Sequence, residues 1–266
     1  MNFSKLIILG CLIKSNMNNG DPDHTGGGAI CFMNASPVLT KCKISNNISN
    51  TGGAVICWDN ASPVISDNII TYNSAIDGAG IYIGSSSNPQ VINNIIINNR
   101  ASDNGGGIRC FANSRPILVN NTIANNKAVY GGGLDCRDNC DPMIFNTIIY
   151  GNSADNGNQV YIDDADSDPA FCYCDIEGGK DEFKGIGAGN SYNGIYTKNI
   201  ENDPLFADTA HGNFNMMNNS PCFSHGADSI EINGSWYYVP FFDMEGNPRP
   251  NPSGIAPDVG ATMRRK

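Results

Sequence analysis

The sequence predicts an all-β protein, a single-stranded right-handed parallel β-helix with about 26 residues per coil and an irregular C-terminal cap. Three observations lead to this prediction: a repeat through most of the chain, short apolar runs between turn residues in each repeat, and a composition unsuited to helices. The 266 residues include 30 Gly and many Asn, and only 16% are charged. Gly and Asn are poor residues in helix interiors but suit tight turns.

The repeat is anchored on prolines that stand 26, 26, 27, 26 and 27 residues apart: Pro37, Pro63, Pro89, Pro116, Pro142 and Pro169. Four further columns keep step with the first five prolines. Ten residues after them stand Asn47, Asn73, Asn99, Asn126 and Asn152, and seven after them Ile44, Ile70, Ile96, Ile123 and Ile149. Nine before them stand Gly28, Ala54, Gly80, Gly107 and Gly133, and six before them Cys31, Cys57, Ile83, Cys110 and Cys136. Five columns in register indicate a solenoid.

Each repeat holds three short apolar runs, such as GIRCF, PILV and NTIA in one coil, which predict three strands per coil. Equivalent residues of stacked coils lie about 4.8 Å apart, so each column has a predicted role. The Ile column fills the core, the Asn column forms a ladder of side-chain amides at a bend, and proline opens a strand that needs no backbone donor. The Gly column is expected at a sharp corner with positive φ.

The cysteine column has two interpretations. Stacked thiols suggest a metal or disulfides, but residues about 4.8 Å apart exceed the usual disulfide range, and a straight column cannot surround a tetrahedral ion. Buried free cysteines that act as small hydrophobes are therefore favoured. Cys136 with Cys140, and Cys172 with Cys174, stay open as weaker candidates for local disulfides.

The first residues, MNFSKLIILGCLIKSN, also have two interpretations. The residues that end at Cys11 match a bacterial lipobox, although the apolar stretch before them is short for a secretory signal. A strand of a partial first repeat is favoured, because CLIKSN at Cys11 parallels CKISNN at Cys42; the export signal would then lie upstream. We expect regular coils over residues 1–174, then irregular final coils and a C-terminal cap of the same domain over 175–266 that covers the last strand edges.

The charge of the chain limits its partners. A net charge of -10 argues against nucleic acid and against anionic membrane surfaces, because no basic stripe could offset the repulsion. No apolar run is long enough to span a bilayer. We expect a monomeric module of a larger protein.

Three closing segments carry a resemblance to known proteins: NIENDPLFAD at 199–208, NNSPCFSHGAD at 218–228 and DMEGNPRPNPSGIAPDVGA at 243–261. They resemble the ends of bacterial right-handed β-helix surface proteins of the choice-of-anchor Q domain type. The coils with GGAV and GGGAI are similar to the passenger domains of chlamydial polymorphic membrane proteins. The resemblance implies this fold and a secreted or cell-surface location, but little chemistry, since the family mixes adhesins, carbohydrate-binding proteins and polysaccharide lyases.

A packed core leaves outward columns and turns for a site. With the Cys column inward, its two neighbours should point outward. One column holds Ile30, Ile56, Tyr82, Arg109 and Asp135, and the other holds Phe32, Trp58, Gly84, Phe111 and Arg137. The predicted substrate-binding residues are Phe32, Trp58, Tyr82, Arg109, Phe111, Asp135 and Arg137. Aromatic rings stack on sugars and arginine binds carboxylates, so this strip indicates a polyuronate or other extended glycan; a strip covered by another domain, chain or turn is the open alternative.

Catalysis is a second hypothesis. A lyase needs a basic residue beside a uronate carboxylate and a cation that neutralises it, and Arg109, Asp135 and Arg137 are weak candidates for these roles. The acidic cluster of pectate lyases and the site of polygalacturonases are missing. Asp164, Asp166 and Asp168 in DDADSDP are weak calcium ligands, with a solvated acidic turn as the alternative, and no other cofactor is expected. Glycan binding or adhesion is favoured over a polysaccharide lyase and over a purely structural spacer.

Overall fold

The computed structural model describes residues 6–18, 28–250 and 253–262. Short parallel strands wind into a β-helix of about six turns with about 26 residues per turn, which confirms the predicted fold. Strands of neighbouring coils pair in register, as Val64, Gln90 and Ile117 do. Leu12–Lys14 pairs with Lys43–Ser45 in the same way, so the strand predicted after Cys11 is present.

Four parallel sheets, named A to D here, run the length of the solenoid. Sheet A contains Ile7–Leu9, Val38–Thr40, Val64–Ser66, Gln90–Ile92, Ile117–Val119, Met143–Phe145, Ala170–Cys172 and Tyr196–Thr197. Sheet B contains Leu12–Lys14, Lys43–Ser45, Ile69–Thr71, Ile95–Ile97, Thr122–Ala124, Ile148–Tyr150 and Asp175–Ile176. Sheet C contains Met17–Asn18, Ile48–Ser49, Ser74–Asp77, Arg100–Asn104, Lys127–Tyr130 and Ser153–Asn156. Sheet D contains Ile30–Met33, Val55–Trp58, Ile81–Ile83, Ile108–Cys110, Leu134–Cys136 and Val160–Ile162.

A complete coil therefore has four strands, and the prediction of three was wrong. The missed strands are those of sheet C, such as Arg100–Asn104 and Lys127–Tyr130. Their side chains are mostly polar, and their buried apolar residues are alanines such as Ala101 and Ala128. A strand that buries one small residue has too little apolar alternation to be recognised from its sequence.

The predicted columns of isoleucine and asparagine lie inside the solenoid. Ile44, Ile70, Ile96, Ile123 and Ile149 are fully buried and belong to one continuous core. Between sheets B and C, each Asn side chain donates to the Asn one coil further on, from Asn47 to Asn152. A second ladder, between sheets A and B, runs through Asn68, Asn94 and Asn121 and was not predicted. The two ladders satisfy backbone groups at the bends, where the sheet hydrogen bonds stop.

The conserved spacing of glycine serves close packing rather than positive φ at the predicted column. A Cβ at Gly107 would lie 2.5 Å from the carbonyl oxygen of Gly133 in the next coil. Positive φ occurs two residues earlier, at Gly105 and Gly131, both at +64°. The expected positive φ is therefore wrong for this column, where the glycines allow close contact between coils; Ala54 is the one member with a Cβ.

All ten cysteines are free thiols. Cys57, Cys110 and Cys136 are buried, as the favoured interpretation of their column predicted, whereas Cys31 is exposed. The local disulfides considered for Cys136 with Cys140 and for Cys172 with Cys174 are absent from the structure, since these four thiols are unlinked. The buried thiols fill core space as small apolar groups.

After sheet B ends, the chain forms three 3₁₀ helices and two antiparallel hairpins. The helices are Lys180–Glu182, Gly189–Ser191 and Thr209–His211. The hairpins pair Phe206–Asp208 with Asn213–Met216, and Ser229–Ile232 with Ser235–Tyr238. No helix of the described ranges is long and apolar enough to cross a membrane.

The last part of the C-terminal segment lies along the side of the solenoid. Its apolar residues cover outward side chains of sheets A and B: Ile232 contacts the cluster of Phe145, and Phe214 that of Ala124. The end of the core is closed earlier in the chain. There Phe183 lies 5.2 Å from Phe171 and 5.8 Å from Tyr192, measured between ring centroids.

Candidate functional site

The candidate site is a cleft at the junction of sheets C and D. Side chains at the ends of sheet C strands meet outward side chains of sheet D in the next coil. Asp77 forms an ion pair with Arg109, and Asn104 accepts a hydrogen bond from Arg137. The glycine turns that link the two sheets bring these faces together, and the concave angle between them is the cleft.

Aromatic rings line the cleft along the axis of the solenoid. Trp58 lies 5.9 Å from Tyr82, which lies 6.5 Å from Phe111, and Tyr130 lies 5.0 Å from Tyr161. The guanidinium groups fit between these rings. Arg109 lies 5.5 Å from the ring centre of Tyr82 and 5.1 Å from that of Phe111. Such contacts hold rings and cations in fixed positions.

An ion network forms the floor of the cleft. Arg137 Nε lies 3.1 Å from Asp135 Oδ2, and its Nη1 lies 3.7 Å from Asp163 Oδ2. Arg109 Nε lies 3.5 Å from Asp135 Oδ2, and Arg109 also pairs with Asp77. Two cations therefore share three carboxylates, and Asp135, which is fully buried, joins both cations.

Burial raises the pKa of Asp135 to about 6, and the attraction of Arg137 and Arg109 opposes that rise. Burial also raises the pKa of the Tyr82 hydroxyl to about 12. For Arg137, burial acts to lower the pKa, but Asp135 and Asp163 outweigh it and the pKa is raised. The cleft floor thus holds a buried carboxyl group with a raised pKa between two arginines.

Three of the predicted substrate-binding residues are accessible and three are covered. Trp58, Phe111 and Arg137 are half-buried. Phe111 and Arg137 line a cavity beside the cleft, and Trp58 contacts the ring of Tyr82. The others, Tyr82, Arg109 and Asp135, are 6%, 7% and 0% exposed, so they support the cleft from beneath. These three residues are covered by the chain's own neighbouring side chains, such as that of Asp77 over Arg109.

The orientation predicted for Phe32 was wrong. Phe32 pairs with Cys57 on the core side and is 6% exposed, while Cys31 pairs with Ile56 and faces outward. The first strand of sheet D has slipped by one residue relative to the proline spacing. This slip places Ile30 and Phe32 in the core instead of an alanine and a cysteine, which buries far more apolar surface.

The sequence prediction missed Asp77, Asn104, Tyr130 and Tyr161. The first three share a position directly before the positive-φ glycine of the turn between sheets C and D. That position was recognisable from the repeat as the last residue before DGAG, NGGG and YGGG. Its contact with the following coil could not be read from spacing, because it depends on the angle between two sheets.

The proposed calcium ligands do not converge. Asp164 accepts backbone N–H groups of Asp138 and Asp166, at 2.6 Å and 3.0 Å, and Asp168 accepts that of Asn193 at 2.9 Å. Within the described ranges, no three His, Cys, Asp or Glu side chains form a group that could hold a metal ion. The acidic run instead organises its own turn.

A cavity of about 350 Å³ adjoins the cleft at Phe111 and Arg137, over sheet D and the turn that follows it. Its lining residues are Arg109, Phe111, Arg137, Asp138, Asn139, Asp163, Asp164 and Asp166. Four of these eight are acids and two are arginines already paired with carboxylates. An anionic ligand would meet repulsion here, whereas hydroxyl groups would find both donors and acceptors.

Comparison with known proteins gives a family but no function. The family model described as the right-handed β-helix region matches residues 1–153, more than half of the 266-residue chain. No curated protein matches the chain, and no solved structure does. A fold of this kind carries many unrelated functions, so the site must supply the functional argument. The protein belongs to the right-handed β-helix family.

Proposed function

We propose that the protein binds an extended, predominantly uncharged carbohydrate chain in the cleft between sheets C and D. The observation that carries this proposal is the axial row of half-buried aromatic rings, from Trp58 through Phe111 to Tyr161. These residues belong to coils two steps apart, so the row spans four steps, or about 19 Å. That length suits several sugar units of a chain lying parallel to the solenoid axis.

The chemistry of the row favours sugars over other extended ligands. The faces of aromatic rings are electron-rich and attract the C–H groups of a pyranose face. Between the rings, Arg137 and Asn139 offer donors and Asp163 offers an acceptor to hydroxyl groups. Rings combined with hydrogen-bonding groups in one groove are what a glycan chain requires.

The charges of the cleft favour an uncharged glycan. Asp77, Asp135 and Asp163 compensate both arginines, and further acids lie at the rim. The polyuronate suggested by the two arginines in the sequence is therefore the weaker candidate. A lyase is also disfavoured, because a catalytic base must reach its substrate and give up a proton. The side chain of Arg109 is only 8% exposed and is paired with two carboxylates.

A glycan ligand of this kind suits a secreted or cell-surface protein, and we propose that location for this chain. The resemblance of its closing segments to bacterial surface proteins supports the same location. An adhesive role would be the direct consequence if the glycan belongs to another cell.

Calorimetric titration with neutral and acidic oligosaccharides of several lengths tests the proposal. We expect neutral oligosaccharides to bind, and Trp58→Ala and Phe111→Ala each to weaken binding by roughly three- to tenfold. Trp236→Ala is the matched control, because Trp236 is 55% exposed and lies outside the cleft. It should leave the affinity unchanged.

Three results would contradict the proposal. Binding of acidic oligosaccharides alone would show that the paired arginines dominate recognition. Equal weakening by Trp58→Ala and Trp236→Ala would show that the cleft is not the binding site. Shortened products in mass spectra of the incubated oligosaccharides would show that the protein cleaves the chain and is an enzyme.

A further inference from the structure

A second cavity, distinct from the cleft, lies between the turn that joins sheets A and B and residues 240–246. It has a volume of about 930 Å³, within the range of small-molecule sites. The cleft lies on sheets C and D, so the two sites share no lining residue. We call this second cavity the A/B groove.

The groove begins where the C-terminal segment leaves the solenoid. In the later coils, the turn between sheets A and B presents a left-handed Asn whose side chain holds that segment. Asn146 donates to the carbonyl oxygen of Ala227 at 3.0 Å, and Asn93 donates to that of Phe242 at 2.8 Å. In the two coils before these, the same turn position holds Asp67 and Lys41, and both residues line the groove.

The walls of the A/B groove are largely apolar. Val64 and Ile69 contribute from sheets A and B and are half-buried. Phe241 and Phe242 contribute from the C-terminal segment and are 83% and 56% exposed. Exposed phenyl rings gain free energy when a ligand removes them from water, so these two rings are available for a ligand.

Two lysines give the groove a positive wall. Lys41 and Lys43 are both exposed and both line it. Among the described residues, neither ammonium group takes part in any of the ion pairs. In a chain with a net charge of -10, two neighbouring unpaired lysines beside exposed rings are complementary to an anion.

Two of the three acids that line the groove are held by hydrogen bonds within the protein. Asp67 accepts hydrogen bonds from Thr40 and Asn93, and Asp243 accepts backbone N–H groups of its own loop. The buried guanidinium of Arg249 interacts with both carboxylates: burial lowers its pKa to about 10, and Asp243 and Asp67 oppose that lowering. Glu245 also lines the groove, so an anionic group is expected at the Lys41–Lys43 wall.

We propose that the A/B groove binds an amphipathic anion, with its apolar acyl or aryl body between the two phenylalanines and the strand side chains. The anionic group lies against Lys41 and Lys43. This site is independent of the carbohydrate cleft, and either can exist without the other.

Two fluorescent probes that share an aryl body test the proposal on the full chain. 1-Anilinonaphthalene-8-sulfonate carries the anionic group, and N-phenyl-1-naphthylamine lacks it. We expect saturable binding of the sulfonate with one site per chain. The double variant Lys41→Gln/Lys43→Gln should weaken sulfonate binding about tenfold and leave the uncharged probe within about twofold.

The remaining variants separate the groove from other surfaces. Phe241→Ala should weaken both probes, and dodecanoate should displace the sulfonate. Lys127→Gln and Trp58→Ala, which change an exposed lysine on sheet C and a ring of the cleft, should leave both affinities unchanged. Circular dichroism spectra that match the wild type establish that the variants are folded.

Three outcomes would overturn the inference. Sulfonate binding that does not saturate would indicate a general apolar surface. An unchanged affinity in the double lysine variant would show that Lys41 and Lys43 do not recognise the anionic group. Loss of sulfonate binding in Trp58→Ala would place the probe in the cleft instead.

Discussion

Arg137 holds the buried carboxylate of Asp135, with 3.1 Å between Nε and Oδ2. Arg109 Nε lies 3.5 Å from the same oxygen atom, Asp135 Oδ2. Asp135 is therefore the common partner of two guanidinium groups in a site that excludes water. Its removal would leave both cations without their shared counter-charge at the junction of two sheets.

We expect Asp135→Ala to destabilise the protein by about 3–5 kcal/mol, because the uncompensated charges stay buried. Asp141→Ala is the matched control. Asp141 pairs with Arg115 at 3.0 Å, but these side chains are 33% and 53% exposed, so the loss should be below about 1 kcal/mol. Urea denaturation measures both values. Similar losses in the two variants would show that the network does not hold the cleft together.

The fold could be predicted because the residues that determine it recur in successive coils. The Ile column and the Asn column recur in each coil, so one misassigned residue cannot change the result. The fourth strand escaped prediction because the apolar residues that it buries are small alanines such as Ala101. The path of the C-terminal segment escaped as well, since Asn146 and Ala227 stand 81 residues apart in the chain.

The candidate site could be predicted only in part. Alternation of strand side chains brings Trp58 and Phe111 to the outer face, and the structure leaves both accessible. Alternation cannot tell that Asp77 of the neighbouring sheet covers Arg109. It also failed for Phe32, because one slipped residue reverses every side chain of a strand.

The Asn ladder should be a major source of stability. Asn99 donates to Ile70 O and Asn126 Oδ1, both at 3.0 Å, and accepts from the backbone and side chain of Asn73. We expect Asn99→Ala to cost at least about 2 kcal/mol, since it leaves buried partners unsatisfied. The exposed Asn202→Ala is the control and should cost little. A loss for Asn99→Ala no larger than that of the control, measured by thermal denaturation, would contradict this prediction.

Asp175 should make stability depend on pH. Its Oδ2 lies 3.0 Å from Cys222 Sγ, and burial raises the pKa of Asp175 to about 7 from 3.8. The folded state therefore keeps a proton that the unfolded chain has lost. The stability that the protonated Asp175 contributes to the folded state is complete below about pH 4 and disappears as pH rises through 7.

Asp175→Asn removes this titration while preserving the shape of the protonated group. Between pH 4 and pH 8, the wild type should lose on the order of 2–4 kcal/mol more stability than the variant. Denaturant titrations at several pH values measure the difference. The exposed Asp155→Asn should keep the wild-type profile. A parallel pH profile in Asp175→Asn and the wild type would refute the assignment.

The free thiols should react in two classes. Cys11 and Cys31 are exposed, and the other eight cysteines are buried. Ellman's reagent should therefore titrate two thiols rapidly in the native protein and all ten after denaturation without reductant. Cys31→Ser should reduce the rapid class to one, which tests the slipped register directly. A total below ten would reveal a disulfide.

The hydrogen bonds of the first Asn ladder all run in one direction. From Asn47 to Asn152, each amide nitrogen donates toward the following coil, so the amide dipoles add along the axis as peptide dipoles do in a helix. Asn152, the last Asn of the ladder, donates to Gln159 Oε1. Gln159 Nε2 in turn donates to a carboxylate oxygen of Glu177 at 2.5 Å. The carboxylate of Glu177 therefore lies at the positive end of the row of amide dipoles. The solenoid has a built-in polarity, and one reversed amide would oppose donor to donor at one neighbouring rung and acceptor to acceptor at the other.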